Sequence, residues 1–175
     1  LRAVFQTASD TPLLLDADAL NLLAHNEALA AEAALYPQLV LTPHPAEAAR
    51  LLKTDTAEIQ KARIQSVETL SRRFNAVTVL KGHRSLIAAP DHGTTANPSG
   101  NAGLATAGSG DVLSGIIGSL LAQGIDAFQA AAAGVWLHGA AADILRDSET
   151  GEIGMLAGEI APAARWLRNY LVRGK

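Results

Sequence analysis

The sequence predicts an α/β domain whose mainly parallel sheet is covered by helices on both faces. Short segments that are apolar throughout alternate along the chain with longer segments that have helical periodicity. Strands of this kind are typical of parallel sheets that are buried on both faces. With 175 residues, 49% of them hydrophobic, the chain has the length and apolar content of one domain with one core. We therefore predict a single domain over residues 1–175.

The first half of the chain contains three predicted strands and the helices between them. Short apolar runs predict buried strands at 13–15, 39–41 and 77–80. Helical spacing predicts helices at 19–25, 45–52 and 56–74. Pro45 suits the start of its helix, because the first helical position needs no N–H and tolerates the fixed φ of proline. Beyond the third strand, 84–89 and 94–96 are predicted to form a hairpin, since the Pro90–Gly93 segment between them favours a turn.

A loop of small residues and a further helix follow the hairpin. Residues 97–110 are rich in Gly, Ser, Asn and Ala, and they predict a loop in which Asn97 and Asn101 either bind a ligand or stabilise turns. The next helix has the apolar spacing of one buried face, at Val112, Leu113, Ile116, Ile117, Leu120 and Leu121. Gly124 is its predicted C-cap.

Two more helices are predicted, at 127–145 and 156–171. The first is rich in alanine and has few polar positions, and Gly134 and Gly139 within it indicate close contact with another helix. Two explanations fit a helix that is apolar on all sides: it is a central helix of one chain, or it also contributes to an oligomer interface. His138 on this helix is expected to be packed or at the surface, not to bind a ligand.

The chemistry is predicted at the start of the helix that follows the small-residue loop. Gly108, Ser109 and Gly110 lead into its first turn, where backbone N–H groups are free and the helix dipole is positive. Small residues let an anion approach these groups, so the segment predicts a phosphate cradle. It is neither a dinucleotide-binding fingerprint nor a Walker loop, because the third glycine and the Gly-Lys-Ser/Thr sequence are absent. Asp111 either takes a proton from a hydroxyl that faces a phosphoryl group or is a stabilising charge of the first turn.

Other polar residues follow the predicted strands. Lys81 stands at the carboxyl end of a strand, where ligands bind in open α/β sheets. His44 lies between two prolines, which restrict the backbone and present the imidazole rigidly. Asp16 and Asp18 follow the first strand and are candidate Mg²⁺ ligands, with helix capping as the alternative for Asp18. Glu47 is expected to be a helix N-terminal charge.

Composition argues against several classes of function. The net charge is −3 and basic residues are not clustered, so no nucleic-acid partner is expected. The chain has no cysteine, which excludes disulfides, thiolate metal sites and cysteine nucleophiles. No apolar run reaches the roughly 18 residues of a membrane span, and no signal-peptide pattern is visible. We therefore predict a cytoplasmic protein that does not contact membranes.

Four segments in a fixed order resemble the ADP/ATP-dependent NAD(P)H-hydrate dehydratases of the ribokinase-like superfamily. They are L-D-A-D-A-L-N at 15–21, L-T-P-H-P-A-E at 41–47, V-L-K-G-H-R-S at 79–85 and N-P-S-G-N-A-G-L-A-T-A-G-S-G-D-V-L-S-G-I-I at 97–117. The segments span most of the chain. Four motifs in the same order are far more specific than any one of them.

The resemblance implies a three-layer α/β/α sandwich and a role in the repair of nicotinamide cofactors. Such enzymes use ADP in bacteria or ATP in eukaryotes, with Mg²⁺, to dehydrate the S-hydrate of NADH or NADPH: the ring hydroxyl is phosphorylated and phosphate then leaves. The resemblance implies that Asp111 contacts the hydrated ring and acts as the base, and that His44 contacts the hydrate. The nucleotide-binding residues that it implies are Lys81, Gly82, His83, Arg84, Ser85, Gly108, Ser109 and Gly110.

The same resemblance sets expectations about the rest of the protein. Family members have early strands before the first motif, so we expect this chain to be a fragment that lacks the N-terminal part of its domain. Bacterial members often carry a fused epimerase domain, and a homo-oligomer, such as a tetramer, is implied. Two alternatives stay open: a ribokinase-like kinase that acts on a vitamin precursor or a sugar, and a non-catalytic nucleotide-binding module.

Overall fold

The computed structural model describes residues 1–7 and 10–174. Within these residues, five strands form one sheet in the order of the sequence. The strands are β1 (Leu13–Leu15), β2 (Leu39–Leu41), β3 (Val77–Leu80), β4 (Leu86–Ala89) and β5 (His92–Ala96). All three strands predicted in the first half of the chain are present at their predicted positions.

The sheet is parallel on one side and antiparallel on the other. Strands β1, β2 and β3 pair in parallel because a helical segment returns the chain between each pair, and Leu14 lies opposite Val40 in this register. Strands β3, β4 and β5 are antiparallel, and the last two form the predicted hairpin. The turn of this hairpin is shorter than predicted, because β5 already begins at His92.

Nine α-helices and one 3-10 turn lie in the described part of the chain. The helices are α1 (Arg2–Thr7), α2 (Asp18–His25), α3 (Glu27–Ala34), α4 (Pro45–Leu52), α5 (Thr56–Lys61), α6 (Arg63–Phe74), α7 (Ser109–Leu121), α8 (Ala127–Arg146) and α9 (Ala157–Arg173), and the 3-10 turn is Ala102–Leu104. Helices α1 and α3 were not predicted. Asn26 separates α2 from α3 and caps α3, since its side chain accepts a hydrogen bond from the Leu29 N–H.

The helix predicted at 56–74 is broken at Ala62, which has φ −127° and ψ 48°. Tertiary contacts account for the break. The new helix places the Arg63 guanidinium against the loop after β3, where it donates to the carbonyl of Leu80 at 3.4 Å. An ideal Cβ on Gly82 would lie 2.8 Å from Nη1 of Arg63. The apolar positions of residues 56–74 fit the period of one continuous helix, so the sequence pattern did not reveal the break.

Two predicted helix caps differ from the structure. Helix α7 ends at Leu121 with Ala122 as its C-cap, and Gly124, the predicted cap, lies two residues farther on at φ 79°. Asp18 is the first residue of α2 and not its cap. The N-cap is Ala17, which has no side chain that accepts a hydrogen bond. The carboxylate of Asp18 therefore lies in the positive first turn, where it is a favourable charge.

Helices cover the sheet on both faces, as predicted. Alternate residues along each strand face opposite sides: Leu41 and Leu80 pack against α2–α6, whereas Val40 and Val79 pack against α7 and α8. Helix α9 packs outside α8 and α7. The result is the three-layer α/β/α arrangement expected from the sequence.

Helix α8 is a central helix, and its apolar composition is explained within the chain. It packs against α7, α9 and the sheet. Gly134 permits the predicted close helix contact, since a Cβ there would lie 2.6 Å from Cγ1 of Ile117 on α7. Gly139 does not face a helix: a Cβ there would lie 2.4 Å from Oγ of Ser99, in the loop after β5. None of the described helices has both the length and the apolarity required to cross a membrane.

Candidate active site

A cleft of about 750 Å³ opens where β2 and β3 end and α7 begins. Parallel strands end at the same edge of a sheet, and this edge is where ligands bind in open α/β folds. The cleft brings together most of the residues predicted for substrate and nucleotide: His44, the segment 81–85, Ser109 and Gly110. These residues come from three separate parts of the sequence, so the fold creates one site from them.

The first turn of α7 forms one wall of the cleft. Gly108 is the N-cap at φ 85°, a left-handed conformation that favours glycine, and no side chain caps the helix. The Ser109 N–H donates to the Thr106 carbonyl at 3.3 Å, whereas the N–H groups of Gly108 and Gly110 and the positive end of the helix dipole are available to an anion. The turn therefore lies at the edge of the cleft where the sequence predicts a phosphate cradle, and its binding of phosphate stays a prediction.

Lys81 adds a positive charge beside this turn. Its Nζ lies 2.7 Å from Oδ1 of Asp16 and 3.9 Å from Oε2 of Glu47. An ideal Cβ on Gly110 would lie only 3.4 Å from the same Nζ. The ammonium group thus lies between two carboxylates beside the helix N-terminus, and Oδ2 of Asp16 lies 4.0 Å from the same Cβ position.

Asp16 joins three elements at the bottom of this site. One oxygen of its carboxylate accepts from Lys81, and the other accepts from the Ser114 hydroxyl of α7 at 2.8 Å. The backbone N–H of Ala17 also donates to Oδ1, at 2.9 Å. The sequence left open whether Asp16 binds Mg²⁺. In the structure its hydrogen-bonding capacity is used to hold Lys81 and α7 together.

His44 and Glu47 cap helix α4 reciprocally. Nδ1 of His44 accepts from the N–H groups of Ala46 at 3.1 Å and Glu47 at 3.3 Å, so the ring proton resides on Nε2. Oε2 of Glu47 accepts from the backbone N–H of His44 at 2.8 Å. Glu47 was predicted only as a helix charge, but it is 5% exposed and completes a capping box. The imidazole of His44 is fixed at the cleft by this box.

Asp111 occupies the first turn of α7, directly after Gly110. Its side chain is exposed and makes no hydrogen bond or ion pair with the residues that the structure describes. Asp111 and Gly108 do not line the cleft itself, although Gly110 between them does. The carboxylate is therefore not engaged as a cap and is available as an acceptor.

His138 was not predicted to belong to the site. It is buried on α8 and lines the cleft, and its Nε2 lies 3.0 Å from the carbonyl oxygen of Ser109 and 3.3 Å from Oγ of the same residue. Burial lowers the pKa of His138 to about 4, while its hydrogen bond to the Ser109 backbone acts in the opposite direction. One turn of α8 thus contacts the phosphate cradle, and no local sequence pattern indicated this contact.

Asn97 and Asn101 stabilise the loop after β5. The amide of Asn97 donates to the carbonyls of Ser99 at 3.0 Å and Val135 at 3.4 Å. Asn101 accepts from the Gly103 N–H at 3.0 Å and donates to Asp143 at 3.1 Å. Both side chains stabilise turns, and both residues also line the cleft, so the structure is consistent with both alternatives that the sequence left open.

The sequence profile of the NAD(P)H-hydrate dehydratases matches residues 3–164. The chain belongs to the NAD(P)H-hydrate dehydratase family. The resemblance found in the four motifs is therefore confirmed.

Relatives in this family include an ADP-dependent (S)-NAD(P)H-hydrate dehydratase from Neisseria meningitidis serogroup B. The two chains are 56% identical over 173 residues, which is 99% of this chain and 58% of the relative. A bifunctional NAD(P)H-hydrate repair enzyme from Escherichia coli is 47% identical over 170 residues, 94% of this chain and 30% of that enzyme. The chain thus spans little more than half the length of the neisserial relative.

Solved structures show the same fold. The ADP/ATP-dependent NAD(P)H-hydrate dehydratase of Bacillus subtilis, co-crystallised with ATP and Mg²⁺, superposes with a TM-score of 0.78 at 35% identity, over 91% of this chain and 55% of that one. A hydroxyethylthiazole kinase from Pyrococcus horikoshii superposes with a TM-score of 0.71 at 15% identity, over 93% of this chain and 65% of the kinase. At that identity the kinase supports the fold of this dehydratase-family chain and nothing about its substrate.

Proposed function

We propose that this protein carries out the ADP-dependent dehydration of the S-hydrate of NADH or NADPH and so restores the usable cofactor. One observation carries the proposal: Lys81 stands beside the uncapped N-terminus of α7, 3.4 Å from where a Cβ on Gly110 would lie, in a cleft of about 750 Å³. Such a site binds a phosphate group. Membership of the dehydratase family supports the identity of the substrate that accompanies it.

The proposed reaction has two steps whose atoms balance. The hydroxyl oxygen of the hydrated ring attacks the terminal phosphorus of ADP, the bond to the bridging oxygen breaks, and AMP leaves. The ring carbon–oxygen bond then breaks with phosphate as the leaving group, and a neighbouring ring carbon loses a proton to form the double bond. Hydrate and ADP are thereby converted into NAD(P)H, AMP and phosphate.

Each residue predicted for the site has a role in this scheme. Asp111 accepts the proton of the attacking hydroxyl, as its free carboxylate permits. Lys81, the N–H groups of Gly108 and Gly110 and the hydroxyl of Ser109 hold the transferred phosphoryl group, since the Ser109 N–H donates to the Thr106 carbonyl. The segment 82–85 lies along the same cleft and holds the rest of the nucleotide. His44 contacts the hydrate with its imidazole.

Magnesium fits this cleft only as an ion that arrives with the nucleotide. No three His, Asp or Glu side chains converge on a common point within residues 1–7 and 10–174. The nearest carboxylates, Asp16 and Glu47, already surround the ammonium group of Lys81. Mg²⁺ commonly binds through phosphate oxygens and water with one or two carboxylates. The ion would neutralise phosphate charge here, and no step of the scheme is assigned to it.

The proposal extends to the setting of the reaction. Both proposed substrates are soluble metabolites, which supports action in the cytoplasm. The bifunctional repair enzymes among the relatives support a fused epimerase domain in the complete protein. A homo-oligomer, such as a tetramer, is also proposed. Sedimentation of the purified protein at micromolar concentration tests the oligomer, and a mass equal to one chain contradicts it.

The experiment that tests the proposed function is a turnover assay with purified S-hydrate of NADH. The near-ultraviolet absorbance of reduced nicotinamide is followed with ADP, with ATP and with neither nucleotide. Recovery that requires nucleotide supports the dehydratase. A stable phosphorylated hydrate contradicts it and favours a kinase. Binding of nucleotide without turnover is followed by the same assay on the full-length protein, and the same result there contradicts the dehydratase and favours a kinase or a binding module.

Asp111→Asn is the decisive variant in this assay. Losing the base is expected to lower kcat by about 10² to 10⁴-fold while ADP still binds. Asp126→Asn is the matched control, because Asp126 also stands at a helix N-terminus, but neither it nor its chain neighbours line the cleft, whereas Asp111 directly follows Gly110 in the cleft wall. Asn at position 126 retains the capping oxygen. Equal activity of Asp111→Asn and the control would show that Asp111 is not the base of the reaction.

A further inference from the structure

Within the described part of the chain, the first turn of α7 has one polar side-chain contact with α8, which His138 makes. Nε2 of His138 lies 3.0 Å from the Ser109 carbonyl oxygen and 3.3 Å from the Ser109 hydroxyl oxygen. A carbonyl oxygen only accepts hydrogen bonds, so Nε2 carries the ring proton and donates it. His138 is 6% exposed and Ser109 is also 6% exposed, so solvent does not replace this contact readily.

The contact also settles the orientation of the Ser109 hydroxyl. Because Nε2–H is the donor, Oγ of Ser109 can only accept from it, and the hydroxyl hydrogen is left for another partner. No acceptor for that hydrogen exists among the side-chain contacts of the described residues, and Ser109 lines the cleft. The hydroxyl is therefore a donor that a ligand oxygen can use.

Packing around His138 leaves the two helices little freedom to adjust. Gly134, one turn earlier on α8, touches Ile117 so closely that a Cβ would lie 2.6 Å from it. Gly139, the next residue, is equally close to Ser99 in the loop that lines the other side of the cleft. Helix α8 thus packs closely against both walls, and His138 is its polar contact with the first turn of α7.

We propose that His138 is a positioning residue, which holds the Ser109 carbonyl and hydroxyl so that the first turn of α7 is preorganised for a phosphate group. The identity of the phosphate ligand rests on the proposed function, whereas the contact between His138 and Ser109 is independent of it. Preorganised donors bind a phosphoryl group without the cost of ordering the helix end at the moment of binding. His138 acts through Ser109 and does not take part in the chemistry.

Three variants separate this role from a merely structural one. His138→Leu keeps the approximate volume and removes the donor, and His138→Gln restores an N–H donor near the position of Nε2. Leu137→Ala is the control, since Leu137 is the adjacent buried residue of α8 but faces α9 and does not line the cleft. All measurements are made below the unfolding transition of the least stable variant.

The first readout is hydrogen exchange at the amides of Val112 and Leu113, which belong to the affected turn of α7. We expect exchange at least about tenfold faster in His138→Leu than in Leu137→Ala, because the Ser109 carbonyl also accepts the helical bond from Leu113. His138→Gln is expected to return most of the protection. Unchanged exchange in His138→Leu, or equal effects in the Leu137 control, overturns the positioning role whatever the ligand is.

The second readout is the Kd of ADP, measured by titration calorimetry. The Kd of ADP is expected to be about tenfold higher in His138→Leu than in the wild type and in Leu137→Ala. His138→Gln is expected to restore most of the ADP affinity. ADP affinity that stays at the wild-type value in His138→Leu overturns the proposal. If the wild-type protein itself binds no ADP, the proposed function fails, while the exchange experiment still decides whether His138 orders the turn.

Discussion

The ammonium nitrogen of Lys81 lies 2.7 Å from Oδ1 of Asp16, although 65 positions separate the two residues in the sequence. Their side chains are 17% and 12% exposed, so this ion pair is largely shielded from water. Asp16 also accepts from Ser114 of α7. The pair therefore connects the ends of β1 and β3 with the helix that carries the phosphate cradle.

Removing one member of this pair should be costly. Lys81→Ala leaves the carboxylates of Asp16 and Glu47 without their cation, and we expect a loss of about 3 kcal/mol in the free energy of unfolding. Urea denaturation measures it. Lys53→Ala is the control, because Lys53 pairs with Glu27 on the exposed surface, and its denaturation midpoint should not change. Equal denaturation midpoints for the two variants would show that the buried pair stabilises the protein no more than the exposed pair does.

Gly110→Ala should weaken the binding of ADP without lowering the stability of the protein. Gly110 lies inside α7, where alanine favours the helix by about 1 kcal/mol, so stability should be kept or raised. The added methyl would lie 3.4 Å from Nζ of Lys81, where the phosphate is expected, so the Kd of ADP should rise at least about tenfold.

Gly115→Ala tests the same substitution elsewhere on the same helix. A Cβ at Gly115 meets no atom within 4 Å, and the residue does not line the cleft. We expect a similar gain in stability with unchanged ADP affinity in calorimetric titrations. Normal ADP binding by Gly110→Ala would mean that the phosphate does not approach this turn.

Asp143 should control the order of the loop after β5. Its carboxylate accepts from the Gly100 N–H at 2.8 Å and from the Asn101 amide at 3.1 Å. Asp143→Ala leaves these donors unsatisfied, and we expect a loss of about 1 to 3 kcal/mol together with faster proteolysis of the 97–104 loop. Asp147→Ala, an exposed neighbour that pairs only with Arg146, should be cleaved at the wild-type rate. Equal cleavage of both variants would argue against the role of Asp143.

His138 should make stability depend on pH. Burial lowers its pKa from 6.5 to about 4, so between these values the unfolded chain binds a proton that the folded protein does not. The free energy of unfolding is therefore highest above pH 6.5 and falls as the pH drops toward 4, by as much as about 3 kcal/mol from this group. Comparing the urea stability of wild type and His138→Gln across this range measures the contribution. Parallel pH profiles would contradict it.

The sequence predicted the strands and most of the helices because these elements depend on local patterns. The apolar runs at 13–15, 39–41 and 77–80 became strands at the same positions, since an uninterrupted apolar run is stable only where both sides are buried. Helix α7 begins at Ser109, two residues earlier than the predicted loop at 97–110 implied. Helix α3 was missed, because its alanine-rich sequence has a weak apolar stripe.

Part of the candidate site was also predictable from the sequence. His44 and Lys81 follow parallel strands, and the carboxyl ends of such strands meet at one edge of the sheet. Ser109 and Gly110 begin a helix, which predicted an anion cradle. The family resemblance then joined these residues into one site, and the structure places all four around one cleft. Their catalytic and binding roles stay predictions that the variants above test.

What the sequence by itself determined was which segments form strands and helices and which residues stand at their ends, because period, capping and turn chemistry act over a few residues. The tertiary structure alone decided the Asp16–Lys81 pair, the break at Ala62 and the contact of His138 with Ser109. Each of these depends on the distance between elements that are far apart in the chain. Side-chain partners across such distances are selected by packing, and packing leaves no local pattern in the sequence.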